Sequence, residues 1–246
     1  MIKACLFDLD GTLLPMDTEA FVKIYLGALA PQVAHLIPPD KLVKMIWHAT
    51  EEMIKNVDEN VTNEQVFERV FLQLCGLNKG DIWPIFDRFY RDEFPKLKGH
   101  VGHNPLMREV VQAAVDKGYK VAVATNPVFP KEAIHERMRW AGVDDLPFEV
   151  VTVYEEMHFC KPQPKYYLEV AKRLGVQPDE CVMIGNDMQE DMVASTVGMK
   201  TYYLHQHRID RGRPVYPFDM EGTAEELLAA IREGKGVFAQ DVKLAN

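Results

Sequence analysis

Met1-Ile-Lys-Ala-Cys5-Leu-Phe-Asp8-Leu-Asp10-Gly11-Thr12 decides how the rest of the chain is read. An apolar run ends in charge and then in an Asp-Gly pair, the signature of a buried strand feeding a tight turn. The turn accounts for Gly11, which permits it, and for Thr12, which can hydrogen-bond locally to hold it. It does not account for Asp8, a carboxylate at the edge of an apolar run. In a regular strand Asp8 and Asp10 share a face at about 6–7 Å. If the chain leaves the sheet between them, both face one reacting group from different sides. One ionised carboxylate can then act as nucleophile and the other as general acid and base.

Outward from this strand the pattern changes. From about Pro15 to Leu97 apolar residues recur at three and four, as in Leu42, Met45, Ile46, Ala49 and Met53, or Val66, Phe67, Val70, Phe71 and Leu74. No stretch there reads as a strand. After Gly99 strands and helices alternate. Asn104-Pro105 caps and opens a helix that Gly118 ends, and Tyr119–Ala124 is strand-like. A helix follows from Pro130 to Trp140, a strand over Phe148–Val153, and a helix from Pro164 to Leu174 closed by Gly175. Then come a strand at Cys181–Ile184, a helix from Asp187 to Val197, a strand at Thr201–Leu204 and a helix from Thr223 to Glu233 with a Thr-x-x-Glu cap. Alternation of this kind predicts an α/β fold, a Rossmann-like parallel sheet with helices on both faces. Residues 1–14 and 98–246 form the core in this reading. Residues 15–97 form an inserted all-helical unit, because a structureless loop of that length is implausible in a compact domain.

The chain has 246 residues, 47% of them apolar, enough for a sizeable core. Its 28 basic and 37 acidic residues leave a net charge of −9. That balance lacks the basic footprint of a nucleic-acid binder and does not suit an anionic membrane surface. No apolar run reaches the roughly 18 residues of a membrane span. The N-terminal run is too short for a signal-peptide core, and the four cysteines, Cys5, Cys75, Cys160 and Cys181, form no CxxC pair. Reduced thiols and a cytoplasmic protein are expected.

Ligands of a parallel sheet bind beyond the carboxyl ends of its strands. The first strand delivers Asp8 and Asp10 there, the second Thr125-Asn126, and the fourth Gly185-Asn186-Asp187 with Asp191 a turn further on. Lys161-Pro162 lies in the loop after the third. Carboxylates gathered this closely need a positive partner, and an oxygen-lined site suits Mg²⁺.

In these residues the chain resembles the haloacid dehalogenase superfamily, specifically phosphatases with a helical cap inserted after the first motif. Asp8-Leu-Asp10-Gly-Thr12 resembles the first motif, Thr125 the second, Lys161-Pro162 the third, and Asp187 with Asp191 the fourth. The resemblance implies that Asp8 attacks phosphorus and forms an aspartyl-phosphate. Asp10 would protonate the leaving alcohol and then activate water. Asp8, the carbonyl of Asp10 and Asp187 would hold Mg²⁺. Thr125 and amides near it, with Asn126, would bind phosphate oxygens, and Lys161 would neutralise charge. A carboxylate at position 10 favours phosphoester over carbon–halogen chemistry, since an alkoxide needs a proton to leave and a halide does not. The family usually places the metal Asp directly after Gly, where this chain has Asn186. Asp187 is preferred as ligand, because a carboxylate binds Mg²⁺ better than an amide. Its i,i+4 spacing from Asp191 on the expected helix supports it. Asp191 would orient Lys161 or a metal-bound water. Lys165 rivals Lys161, but it falls in the first turn of a helix.

The implied substrate is a small phosphorylated metabolite, phosphoglycolate-like or a sugar phosphate, handled by a monomer or homodimer. A cap would close over the site and exclude water. Its Lys23, Lys41, Lys44, Lys55 and Arg69 are candidates to meet a second anionic group. His100, His103, His205 and His207 read as surface or loop residues. A phosphomutase, a phosphonate hydrolase using Lys23 or Lys55 as a Schiff base, and a non-catalytic Mg²⁺- or phosphate-binding module are the alternatives.

Overall fold

The apolar run at the N-terminus forms β1 (Ala4–Phe7), every side chain of it buried. The structure, a computed structural model, describes residues 1–239, so the last seven residues of the expected core, 240–246, lie outside the described residues. Five further strands are parallel to β1: β2 (Lys120–Val123), β3 (Val150–Val151), β4 (Cys181–Gly185), β5 (Lys200–Leu204) and β6 (Met220–Gly222). Their order is β3-β2-β1-β4-β5-β6. The chain therefore winds outward in both directions from β1, and the crevice of an α/β sheet opens where the winding reverses. Phe7 pairs with Val123 on one side and Ile184 on the other. The Asp8 amide donates to the Ile184 carbonyl at 2.9 Å, and the Ala124 amide donates to the Phe7 carbonyl at 2.7 Å. This register sets Asp8 level with Ala124 and Gly185, and Thr125 and Asn186 follow one residue further along the same sheet edge.

The helices covering the sheet follow their caps. Asn104 accepts from the Leu106 amide to open α5 (Pro105–Asp116). The Thr223–Glu226 capping box opens α8 (Ala224–Glu233). The helices α6 (Lys131–Ala141) and α7 (Pro164–Leu174) both end on left-handed glycines. Three sequence expectations change. The strand expected over Phe148–Val153 pairs only at Val150–Val151. The strand β6 was not expected, since Met-Glu-Gly is short and polar and gains its partner only at the edge of β5. The helix expected from Asp187 is instead a side-chain-bonded turn followed by a 3₁₀ segment at Met192–Val197.

Between β1 and α5 lie four helices, α1 (Thr18–Val33), α2 (Pro39–Lys55), α3 (Asn63–Cys75) and α4 (Lys79–Arg88), followed by a widened turn and a 3₁₀ segment up to His100. No strand falls among them. The apolar side chains of this helical insertion run continuously into the α/β core. Phe94 stacks on Trp140 of α6 at 5.2 Å, and Phe21 meets the same ring edge-on at 5.9 Å. The start of α3 is fastened by backbone: the Asn63 amide donates to Met157 and the Glu64 amide to Tyr154. Phe94→Ala is expected to cost about 3–5 kcal/mol in chemical denaturation, the range for a large aromatic removed from a packed core. A loss below 1 kcal/mol would show that the insertion and the sheet are not packed as one body.

Among the described residues, no helix is long and apolar enough to cross a membrane. All four cysteines are unpaired.

Candidate active site

Asp8 stands one residue past the end of β1 and is 7% exposed. The Lys161 ammonium donates to its Oδ1 at 2.8 Å and to Asp191 Oδ1 at 2.6 Å. Both Lys161 and Asp191 are buried. Burial by itself would pull the Lys161 pKa down, but the Asp191 and Asp8 carboxylates beside it raise it well above the ordinary lysine range, so it is a fixed cation. Burial pushes the Asp191 carboxyl upward against the attraction of Lys161, with Asp8 and Asp187 adding to the rise. Asp191 can reach Lys161 because Gly185 lacks a side chain. A Cβ there would collide with the Asp191 carboxylate. The same carboxylate accepts from the Asp187 amide at 2.9 Å, so Asp191 holds both the lysine and the turn.

Asp10 lies beyond the point where the chain leaves the sheet, and a different cation holds it. Arg137 of α6 pairs through Nη1 with Asp10 Oδ2. Arg137 is 1% exposed, donates through Nε to the Ala133 carbonyl, and rests over the Phe129 ring at 4.5 Å. Burial raises the Asp10 pKa, Arg137 draws it back, and Asp8 adds to the rise. Asp10 Oδ1 and Arg137 Nη2 are buried without partners. The sequence reading missed Arg137, although it carries a signal. Ile134, Arg137, Met138 and Ala141 follow the inward spacing of an amphipathic helix, so an arginine occupies a core position. Arg137→Met is expected to destabilise the protein by about 3 kcal/mol, because it strands a largely buried carboxylate. Adding Asp10→Asn to that variant should restore much of the loss, and a simple sum of the two single losses would contradict the pairing.

The fourth strand end divides two neighbouring residues. Asn186 is spent on structure: it accepts the Thr12 hydroxyl at 3.0 Å and donates to the His207 carbonyl at 2.6 Å. Gly11, at φ +85°, lies against its amide, where any Cβ would collide. Asp187 closes its own turn by accepting from the Gln189 and Glu190 amides, both at 2.9 Å. This side-chain capping replaces the expected helix, so the spacing of Asp187 and Asp191 belongs to a turn and not to a helix face. Arg211 contacts both Asp187 oxygens, at 2.9 and 2.8 Å. It sits in a loop of Arg, Gly and Pro with no periodic pattern that could have marked it.

Thr125 is buried at the end of β2, and its carbonyl accepts from Thr152 and Tyr166. The Asn126 side chain does not point to a ligand. It accepts from the Lys161 amide at 3.2 Å and donates to the Lys161 carbonyl and to Glu190. Lys165 is exposed and reaches the Val57 carbonyl, away from Asp8. Lys23, Lys41, Lys44, Lys55 and Arg69 are all exposed. Lys55 pairs with Glu51 and Glu52.

Among the described residues, no three His, Cys, Asp or Glu side chains stand together closely enough to hold a metal ion alone. Mg²⁺ asks for less, one or two carboxylates completed by waters and substrate phosphate. Asp8 offers Oδ2, and Asp10 offers its backbone carbonyl. Neither has a protein partner among the described residues. That donor set fits the ion. The guanidinium on Asp187 shows that its carboxylate already draws positive charge.

Residues 2–194 match the haloacid dehalogenase-like hydrolase family. A glyceraldehyde 3-phosphate phosphatase of Methanopyrus kandleri is 26% identical over 240 residues, covering 95% of this chain and 98% of that one. The fold is shared with a phosphatase of the same superfamily from Thermococcus onnurineus (TM-score 0.59, 24% identity, 94% and 98% of the two chains). A β-phosphoglucomutase assigned in Thermotoga maritima shares it too (TM-score 0.54, 22% identity, 94% and 99%). The chain belongs to the haloacid dehalogenase-like hydrolase family. It is an enzyme, a hydrolase.

Proposed function

We propose that the protein is a Mg²⁺-dependent phosphatase that hydrolyses a small phosphorylated metabolite through an aspartyl-phosphate. The supporting observation is that the two carboxylates of the first motif have separate cations. Lys161 pairs with Asp8 at a strand end and leaves Oδ2 without a protein partner among the described residues, as a nucleophile requires. Arg137 holds Asp10 in place, out of the strand line, where burial raises its pKa and so favours its acid form.

In the first step an Asp8 oxygen forms the bond to phosphorus while the ester oxygen leaves with a proton from Asp10. In the second, Asp10 takes a proton from water, the water oxygen bonds to phosphorus, and the Asp8 carboxylate is released. The Thr125 hydroxyl and the backbone N–H of Asn126 bind phosphate oxygens, and Lys161 balances charge. Mg²⁺, held by Asp8, the Asp10 carbonyl and Asp187, supplies electrostatic stabilisation of the transferring group. Asp187 would have to release Arg211, which contacts both of its oxygens, to take part in holding the ion. Asn126 contributes by fixing the Lys161 backbone, and Asp191 by orienting the Lys161 ammonium.

Residues 15–97 serve as a cap over a core of 1–14 and 98–239, in a cytoplasmic enzyme. The exposure of Lys23 and Lys55 tells against a phosphonate hydrolase, whose Schiff-base amine must shed its proton away from bulk water. The test is phosphate release from a broad panel of phosphorylated metabolites, with Mg²⁺ and after chelation. Release from at least one ester that chelation abolishes is expected. No release from any member would overturn the hydrolase reading, and isomerisation of a sugar phosphate would favour a mutase.

A further inference from the structure

A cavity of about 470 Å³ lies on the seam between the helical insertion and the α/β core, apart from Asp8, Asp10 and Lys161. Its walls are aromatic. Tyr25, Trp83 and Tyr90 come from the insertion, and Phe129 and Tyr154 from the core. Four carboxylates also line it, Glu64, Asp87, Glu132 and Glu155. Among the described residues none of the four forms a salt bridge. The one guanidinium in the wall, Arg91, is already bound to Asp92 at 2.8 Å. Lys79, the nearby amine, is bound to Glu68 at 2.6 Å.

A space of this size fits a small organic molecule. Its walls carry carboxylates that have no ionic partner among the described residues, although Glu155 also accepts from the Lys131 amide. They carry the negative faces of aromatic rings as well, and both attract a cation. The same charge repels phosphate, so this is not a second anion site. A bare metal ion would leave most of the volume and the aromatic surface unused. We propose that the seam cavity binds a small organic cation, an ammonium group carried on an apolar body. Burial pushes Glu155 up to about 7, with Glu132 and Glu64 adding to the rise, and it raises Glu64 as well. A bound cation would relieve that strain in charge. Because insertion and core both contribute walls, the occupant touches both at once. Phe129, one of the walls, also carries the Arg137 guanidinium that pairs with Asp10.

The site stands on its own geometry and does not require the phosphatase reading. The test is titration of the full chain with benzyltrimethylammonium, followed by tryptophan fluorescence and calorimetry. Trp47 and Trp83 both line the cavity. A neutral isostere and benzoate at equal ionic strength are the controls. Saturable binding of the ammonium is expected, at least tenfold tighter than the isostere. Glu64→Gln with Glu155→Gln should weaken it at least tenfold. Glu132→Gln, at an exposed position, is the second variant in case the pair fails to fold. Where an ester of the panel is hydrolysed, competitive inhibition by the ammonium would identify the cation as the substrate's own leaving group. Non-competitive inhibition would identify a separate amine ligand. Either pattern supports the site. Absence of saturable binding, or equal affinity for the isostere, overturns it whatever the enzyme's activity.

Discussion

Asp8→Asn is expected to lower the rate of phosphate release at least about 10⁴-fold while leaving the protein folded. Losses of that order follow removal of a group that forms the covalent intermediate. The fold survives because the substitution keeps the side chain's shape, and Lys161 keeps Asp191 as its counter-ion. Asp10→Asn should cost about 10²–10⁴-fold, the usual contribution of a positioned general acid and base. Both are read as rates on whichever ester the panel identifies, with melting temperature as the control for folding. A rate for Asp8→Asn within tenfold of the parent would rule out Asp8 as nucleophile.

Lys161→Met should be the most damaging substitution for stability among the site residues. It leaves Asp8 and Asp191 facing each other in a buried space with no cation between them. Stranding one buried charge costs about 3–5 kcal/mol. Here two carboxylates lose one shared partner, so an equilibrium denaturation loss at the upper end is expected, together with loss of activity. Lys161→Met with Asp191→Asn should recover part of the stability and none of the rate. That split separates the structural debt to Asp191 from the role at Asp8. A Lys161→Met protein as stable as the parent would mean that the two carboxylates are not held together by this amine.

The site residues differ in how far they could be read from sequence. Asp8 and Asp10 were legible because a carboxylate at the end of an apolar run contradicts the run, and Gly11-Thr12 marks the turn that separates them. Thr125 and Lys161 followed from their positions after expected strands together with the family resemblance, and the structure brings the Lys161 amine to Asp8. Asn126 and Asp187 follow strands legible in the sequence, but their contacts were not foreseeable. Asn126 turns to the Lys161 backbone, and Asp187 carries Arg211. Neither partner is near in sequence: the separations are 35 and 24 residues. The five cap cations illustrate the opposite error. Charge in the insertion suggested contact with an anion, yet those side chains face water and the seam is lined with carboxylates.

By itself the sequence determined the class of fold, the strand that anchors it, the helical insertion after that strand, and the pair of carboxylates at its end. These are local properties: periodicity of burial, caps at helix ends, and an Asp-Gly turn all act within a few residues. Tertiary structure alone decided that Arg137 serves Asp10, and it carried the Lys161 implied by the resemblance onto Asp8. Arg137 meets Asp10 across 127 residues and Lys161 meets Asp8 across 153, through strand order and the packing of α6. No local pattern encodes such a meeting, because it depends on where the sheet sets down each chain end. The short β6 and the joining of insertion and core into one apolar interior have the same origin.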